Sequence, residues 1–198
     1  MNKRPVVFID RDGTLNVEAG YIRELENLRL IEGAARSVER LNQAGVAAIL
    51  VTNQTGAARG YYDEDHIKAL NARLVALLEA EGAFLDDVFY CPHLAEGVVP
   101  EYSEVCDCRK PAIGLVEQAY EKHPELDRER SFVVGDKATD VELAANCGAL
   151  GVLVRTGYGE RVLAGDYQWK VEADFEAGDI TAAVDWILEK LNVTSTVD

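Results

Sequence analysis

Val6-Val7-Phe8-Ile9-Asp10-Arg11-Asp12-Gly13-Thr14 stands near the start of this 198-residue chain. Four apolar residues in unbroken succession suit a short strand covered on both faces, the mark of a parallel sheet. The apolar run stops at Asp10, and a second carboxylate follows one residue later. In open α/β sheets, ligands gather at the carboxyl ends of the strands. Two acids at that edge can divide the chemistry: one ligates a metal and attacks, the other carries a proton. Gly13 permits a sharp turn and a close approach of backbone to an anion.

Comparable apolar runs recur at Ala47–Val51, Phe132–Val134 and Val152–Val154, with Val88–Tyr90 a weaker strand candidate. Helical periods lie between them. One runs from about Gly33 to Ala44 and is closed by Gly45. A second starts at Asp63 as N-cap and carries Ile67, Leu70, Leu74 and Leu77/Leu78. A third has Pro111 at its first position, ahead of Leu115, Val116 and Ala119, and a last one spans Ile180 to Leu191. Strands alternating with helices predict an α/β domain around a mainly parallel sheet, one domain over 1–191 with a polar, frayed tail at 192–198. The segment Gly157–Asp174 receives no assignment; Tyr158, Tyr167 and Trp169 read as cover for a sheet edge.

Three more strand ends carry complementary groups. Thr52-Asn53-Gln54 follows the second run with a hydroxyl and amides suited to phosphate oxygens. Arg109-Lys110-Pro111 brings two cations to the start of a helix. Gly135-Asp136-Lys137-Ala138-Thr139-Asp140 places two acids four residues apart in a strand-to-helix turn. An aspartate at one strand end is ordinarily a turn or cap residue. Four such pieces at one predicted edge describe a Mg²⁺-assisted phosphoryl-transfer site. The histidines do not replace it: His66 and His123 read as lying in charged, exposed helical surroundings, and His93 is engaged elsewhere.

The set Asp10-x-Asp12-Gly13-Thr14, Thr52, Lys110 and Gly135-Asp136-x-x-x-Asp140 resembles the four motifs of the haloacid-dehalogenase superfamily, through nearly the whole chain. The resemblance implies a Rossmannoid three-layer sandwich with a phosphatase activity, since Asp12 is absent from the dehalogenases. It implies Asp10 as nucleophile, Asp12 as acid and then base, and Mg²⁺ on the Asp10 side chain, the Asp12 carbonyl and Asp136. Thr52 and Lys110 would hold the transferring phosphoryl group, with Asp140 supporting Lys110 or a metal-bound water. Lys137 joins them as a supporting cation. About twenty residues separate Thr14 from the first long helix, too few for an inserted cap domain.

Cys91-Pro92-His93 is followed after twelve residues by Cys106-Asp107-Cys108. Three thiolates and one imidazole match a closed, structural Cys₃His zinc site. A disulfide is the competing reading, disfavoured in a reducing compartment. Cys108 adjoins Arg109 and Lys110, so the metal would anchor the two cations facing the phosphate. A nucleic-acid zinc finger would need a basic surface, and 91–108 contains no Lys or Arg. Lone Cys147 reads as a small buried residue.

This zinc loop, with Gly20-Tyr21-Ile22, Val51-Thr52-Asn53-Gln54-Thr55-Gly56 and Ala58-Arg59-Gly60, resembles the zinc-loop phosphatases of the superfamily. Their substrates include small phosphorylated sugars and histidinol phosphate. By resemblance, Gly20, Tyr21, Ile22, Asn53, Gln54 and Thr55 meet the substrate. Arg11, Arg59 and Arg109 add cations, and two of them, Arg59 and Arg109, suit a second phosphate that is not transferred. A domain phosphorylated at Asp10 without turnover is a reading of another class, but Asp12 would speed hydrolysis of the acyl phosphate.

Twenty Lys and Arg face thirty-five Asp and Glu, a formal net charge of −15. That field repels nucleic acid and anionic membranes, and at first sight phosphate esters too. No window has the length or apolarity of a membrane span, and the N-terminal apolar run is too short for a secretory leader. A reduced, cytoplasmic, soluble monomer is expected.

Overall fold

The computed structural model describes residues 3–192; of the expected tail, 193–198 lie outside them. Among the described residues six parallel strands form one sheet: β1 (Arg4–Ile9), β2 (Ala47–Asn53), β3 (Asp87–Cys91), β4 (Leu126–Gly135), β5 (Leu150–Val154) and β6 (Phe175–Ala177). Their order is β3-β2-β1-β4-β5-β6. Val6 to Ile9 pair residue for residue with Ala47 to Leu50 on one side and with Ser131 to Val134 on the other. Central β1 is therefore flanked on both sides, and Val6, Val7, Phe8 and Ile9 expose no surface.

Among the described residues six α-helices cover the sheet: α1 (Ala34–Gln43), α2 (Glu64–Ala80), α3 (Gly114–Lys122), α4 (Ala138–Cys147), α5 (Gly159–Ala164) and α6 (Ile180–Lys190). Alternate side chains of β1 go to opposite layers, as the strand period of two requires. Val7 and Ile9 join a core with Val38, Leu41, Leu70, Leu74, Val184 and Ile187, from α1, α2 and α6. Val6 and Phe8 join Ile49, Leu115, Val116 and Leu143, where α3 and α4 pack. Each fully buried side chain of this size contributes about 1.5–3 kcal/mol, which is why a continuous apolar run rather than an alternating one encodes the strand. The architecture is the three-layer α/β sandwich with a parallel sheet.

Three elements differ from expectation. Pro111 is not the first residue of α3. The helix starts at Gly114 with Ile113 as N-cap, and Pro111 sits in the turn before it. Short β6 and the lengthening of β4 back to Leu126 carry weak sequence signals, because Asp127–Arg130 are charged and β6 has three residues. Asp63 caps α2 as expected, its side chain accepting from the His66 amide.

β1 lies where the chain reverses its direction of growth: β2 and β3 add outward on one side, β4, β5 and β6 on the other. At such a switch point, the loops after neighbouring strands part and leave a crevice. Asp10, Asn53 and Asp136 end or follow the three strands that meet there.

Candidate active site

A cavity of about 270 Å³ opens at this switch point. Asp10, Asp12, Thr52, Lys110 and Lys137 line its floor, and Gly20, Tyr21, Asn53, Gln54, Thr55, Arg59 and Arg109 line its walls.

Asp10 is buried between two ammonium groups. Lys110 Nζ lies 2.8 Å from Asp10 Oδ1, and Lys137 Nζ lies 3.4 Å from Oδ2. Burial alone would raise the Asp10 carboxyl, but Lys110 and Lys137 outweigh it and hold the group well below the usual carboxylate range. A carboxylate that favours its ionised form and faces a cavity is a competent nucleophile. Lys110 is itself held by Asp140 at 2.6 Å and by the Val51 carbonyl at 2.8 Å. Asp140 thus supports Lys110. Its Oδ2 also accepts from the Lys137 amide at the start of α4.

Lys137 Nζ reaches three oxygens at once: Asp136 Oδ1 at 2.7 Å, the Asp12 carbonyl at 3.2 Å and Asp10 Oδ2 at 3.4 Å. These are the three groups expected to hold Mg²⁺. Burial and the neighbouring carboxylates push Asp136 up to about 7 despite the Lys137 ammonium. Hard oxygen donors converging on one point, with more negative charge than a single ammonium relieves, fit a divalent cation. Gly13 and Gly157 close over Asp136: a Cβ at either would come within about 2.2 Å of its Oδ2, and both adopt positive φ. The Tyr158 amide donates to the same oxygen.

Asp12 is fixed by side chains. Its carboxylate accepts from Arg11, from Asn16 Nδ2 at 3.0 Å and from Gln54 Nε2 at 2.8 Å. Gln54 Nε2 also donates to Thr52 Oγ1 at 2.9 Å.

Of the expected substrate contacts, Arg11 and Ile22 lie outside the cavity lining, and Asn53 lies within it with its amide engaged. Arg11 is 1% exposed and turned away from the cavity, its guanidinium shared among Asp12, Asn71 and Gln54. The Ile22 side chain is in the core, and its carbonyl bonds His66 Nε2. Asn53 borders the cavity, but both ends of its amide are taken by the Lys110 backbone, at 3.0 and 3.1 Å. It clamps the lysine. His66 and His123 are half-buried rather than exposed, and His123 is held by Asp87.

The zinc-type ligands come together as expected. Cys91, Cys106 and Cys108 Sγ and His93 Nδ1 lie 3.3–3.8 Å apart where they touch. Tetrahedral Zn–S bonds of about 2.3 Å space the sulfurs about 3.8 Å apart; the Sγ pairs here stand at 3.5 and 3.3 Å, so the four donors converge on one point that a zinc ion would fill with slight spreading. The Cys91 hydrogen bond and burial push the Cys108 thiol far up in the absence of a counter-charge. His93 Nε2 faces Glu104 at 3.3 Å, the carboxylate partner that fixes a metal-binding imidazole. The loop also delivers cations to the cavity, since Arg109 donates to the His93 carbonyl at 3.3 Å.

Sequence reading missed one wall. Glu18, Tyr62, Thr139, Tyr158, Tyr167 and Gln168 also line the cavity. Tyr158 and Tyr167 stack at 4.0 Å, so they border the site instead of covering a sheet edge. Trp169 donates to Glu142 on α4. Glycine spacing around Tyr158 was the available signal, because Gly157 is needed beside Asp136. Cys147 is half-buried against α3 and the sheet.

Known proteins similar to this chain are phosphatases by name. A family model described as HAD-hydrolase-like matches residues 107–183. A D-glycero-D-manno-heptose-1,7-bisphosphate 7-phosphatase of Thermosynechococcus vestitus is 51% identical over 192 residues, covering 95% of this chain and 97% of the relative. A D-glycero-beta-D-manno-heptose-1,7-bisphosphate 7-phosphatase of Escherichia coli K12 is 41% identical over 155 residues, 77% of this chain and 80% of its own. Among solved structures, D,D-heptose 1,7-bisphosphate phosphatase of B. bronchiseptica, complexed with magnesium and phosphate, superposes with a TM-score of 0.82. It is 28% identical, over 94% of this chain and 99% of that one.

Proposed function

The chain belongs to the D-glycero-D-manno-heptose-1,7-bisphosphate 7-phosphatase family of HAD-like hydrolases, and we propose on that footing that it hydrolyses the 7-phosphate of this bisphosphate through an aspartyl-phosphate on Asp10. The observation that carries the chemistry is the Asp10 carboxylate, buried and ionised between Lys110 and Lys137 with Asp12 beside it. The heptose assignment and its place in surface-polysaccharide precursor synthesis rest on the relatives' names.

A Mg²⁺ ion on Asp10, the Asp12 carbonyl and Asp136 would neutralise phosphate oxygens so that an anionic nucleophile can approach. Thr52 and Lys110 orient the phosphoryl group, and Lys110 offsets its charge. Asp10 forms the new O–P bond as the sugar oxygen leaves with a proton from Asp12. Asp12 then takes a proton from water, whose oxygen attacks phosphorus and releases Asp10. Arg59 and Arg109 line the outer cavity and, among the described residues, pair with no carboxylate; they suit the phosphate that stays on the sugar. Tyr21 and Thr55, which hydrogen-bond each other at 3.2 Å, and Gly20 lie along the sugar's path.

Zinc is structural in this reading, because all four ligands come from the protein and leave no open position. Thiols kept free for a metal require a reducing compartment, which supports a cytoplasmic location. No described helix is long and apolar enough to cross a membrane. A single catalytic domain acting as a monomer completes the reading.

Phosphate release with Mg²⁺ tests it on heptose 1,7-bisphosphate, histidinol phosphate and a nucleotide. Heptose bisphosphate is expected to turn over fastest, and Asp10→Asn to abolish release. Faster release from histidinol phosphate would transfer the substrate assignment, and no release from any would favour a phosphorylated regulatory domain.

A further inference from the structure

The face of α2 that packs on the sheet is apolar at Ile67, Leu70, Leu74 and Leu78, yet Asn71 lies on it only 4% exposed. Its Oδ1 accepts from Arg11 Nη1 at 2.9 Å, while its Nδ2 is buried with no partner among the described residues. Asparagine with half its amide unsatisfied is a costly choice for a helix core position, so the contact it does make calls for an explanation.

Arg11 is equally out of place as a buried cation. Its Nη2 reaches Asp12 Oδ2 at 3.0 Å and Gln54 Oε1 at 2.8 Å, and its Nε reaches Asp12 Oδ1 at 3.3 Å. Asp12 is the only carboxylate paired with it among the described residues. Arginine carries several rotatable bonds, and one acceptor on a rigid helix fixes the plane of the guanidinium. The donors to Asp12 then stand still. A neutral acceptor suits that post, because a carboxylate at 71 would compete with Asp12 for the same cation.

We infer that Asn71 is a positioning residue for the Asp12 carboxylate, acting through the Arg11 guanidinium from outside the cavity. The inference rests on the reading of Asp12 as the group that protonates the leaving oxygen. In that step the Asp10 O–P bond forms, the P–O bond to the leaving group breaks, and the Asp12 proton goes to the departing oxygen. A p-nitrophenolate leaving group departs without that proton; a sugar alkoxide does not.

The two leaving groups therefore separate positioning from general damage. In Asn71→Leu, steady-state release from heptose bisphosphate is expected to fall about 10- to 100-fold in kcat with little change in KM. The first-turnover burst of p-nitrophenolate from p-nitrophenyl phosphate stays within about twofold of the parent, since it does not need Asp12 as acid. Asn71→Asp, which keeps the size and the acceptor, gives the same split and serves where the leucine variant folds poorly. Parallel loss on both substrates, or no loss on either, overturns the inference. Asp12→Asn is the control: a gap between leaving groups there, with none in the Asn71 variants, overturns the positioning link alone. No gap in Asp12→Asn removes the acid role of Asp12 and the inference with it.

Discussion

Lys137 places its ammonium where three expected metal ligands converge, so ammonium and divalent cation compete for the same oxygens. The lysine relieves the repulsion between buried Asp10 and Asp136. Lys137→Met is expected to destabilise the metal-free protein by about 2 kcal/mol, or roughly 4–8 °C in Tm, the lysine side chain being partly solvated. Added Mg²⁺ should then raise the variant's Tm by more than the parent's. Thermal melts with and without Mg²⁺ decide it, and equal Mg²⁺ responses would remove Lys137 from the cation site. At this scale Asp10, Asp12, Thr52, Lys110 and Asp136 were legible because each ends or follows a recognisable apolar run or a motif. Arg11 was not. Its neighbours in the chain suggest substrate, but the turn after β1 sends its side chain underneath Asp12, toward α2.

The zinc-type loop and the segment after β5 are two of the elements that shape the cavity, beside the loops after β1 and β2. The loop ties Cys108 to Arg109 and Lys110 along the chain, and His93 to Arg109 through a hydrogen bond. Cys108→Ala is expected to lose zinc and to lower turnover on the order of 10²-fold, because small displacements of a phosphate-binding cation are that costly. Metal analysis beside kinetics checks this, and unchanged turnover in a folded, zinc-free variant would uncouple the loop from the chemistry. The loop was readable from its ligand spacing. The segment after β5 was not, since short α5, Gly157 and the stacked Tyr158 and Tyr167 have no periodicity to reveal them. Their role comes from β5 lying next to β4, which brings Gly157 against Asp136.

Across the whole molecule, a net charge of −15 and an anionic substrate coexist because the field near the cavity is local. Arg59, Arg109, Lys110 and Lys137 line it against Asp10, Asp12 and Glu18, before any metal is counted. With a Debye length of about 8 Å at physiological salt, these groups outweigh distant surface acids. The same surface acidity opposes self-association. Size-exclusion chromatography is expected to show a monomer from low to high ionic strength, and a dimer that persists in high salt would contradict it.

Apolar runs and short-range spacings are properties of the chain, and they made five of the six strands, the candidate catalytic residues and the zinc-type ligands legible in the sequence. What those residues do to one another follows from contacts made far along the chain. Asn53 clamps the Lys110 backbone across 57 positions. Asn71 meets Arg11 across 60. Tyr158 joins the cavity because β5 packs beside β4. Strand order and side-chain direction are set by packing around a shared core, and no local pattern records them.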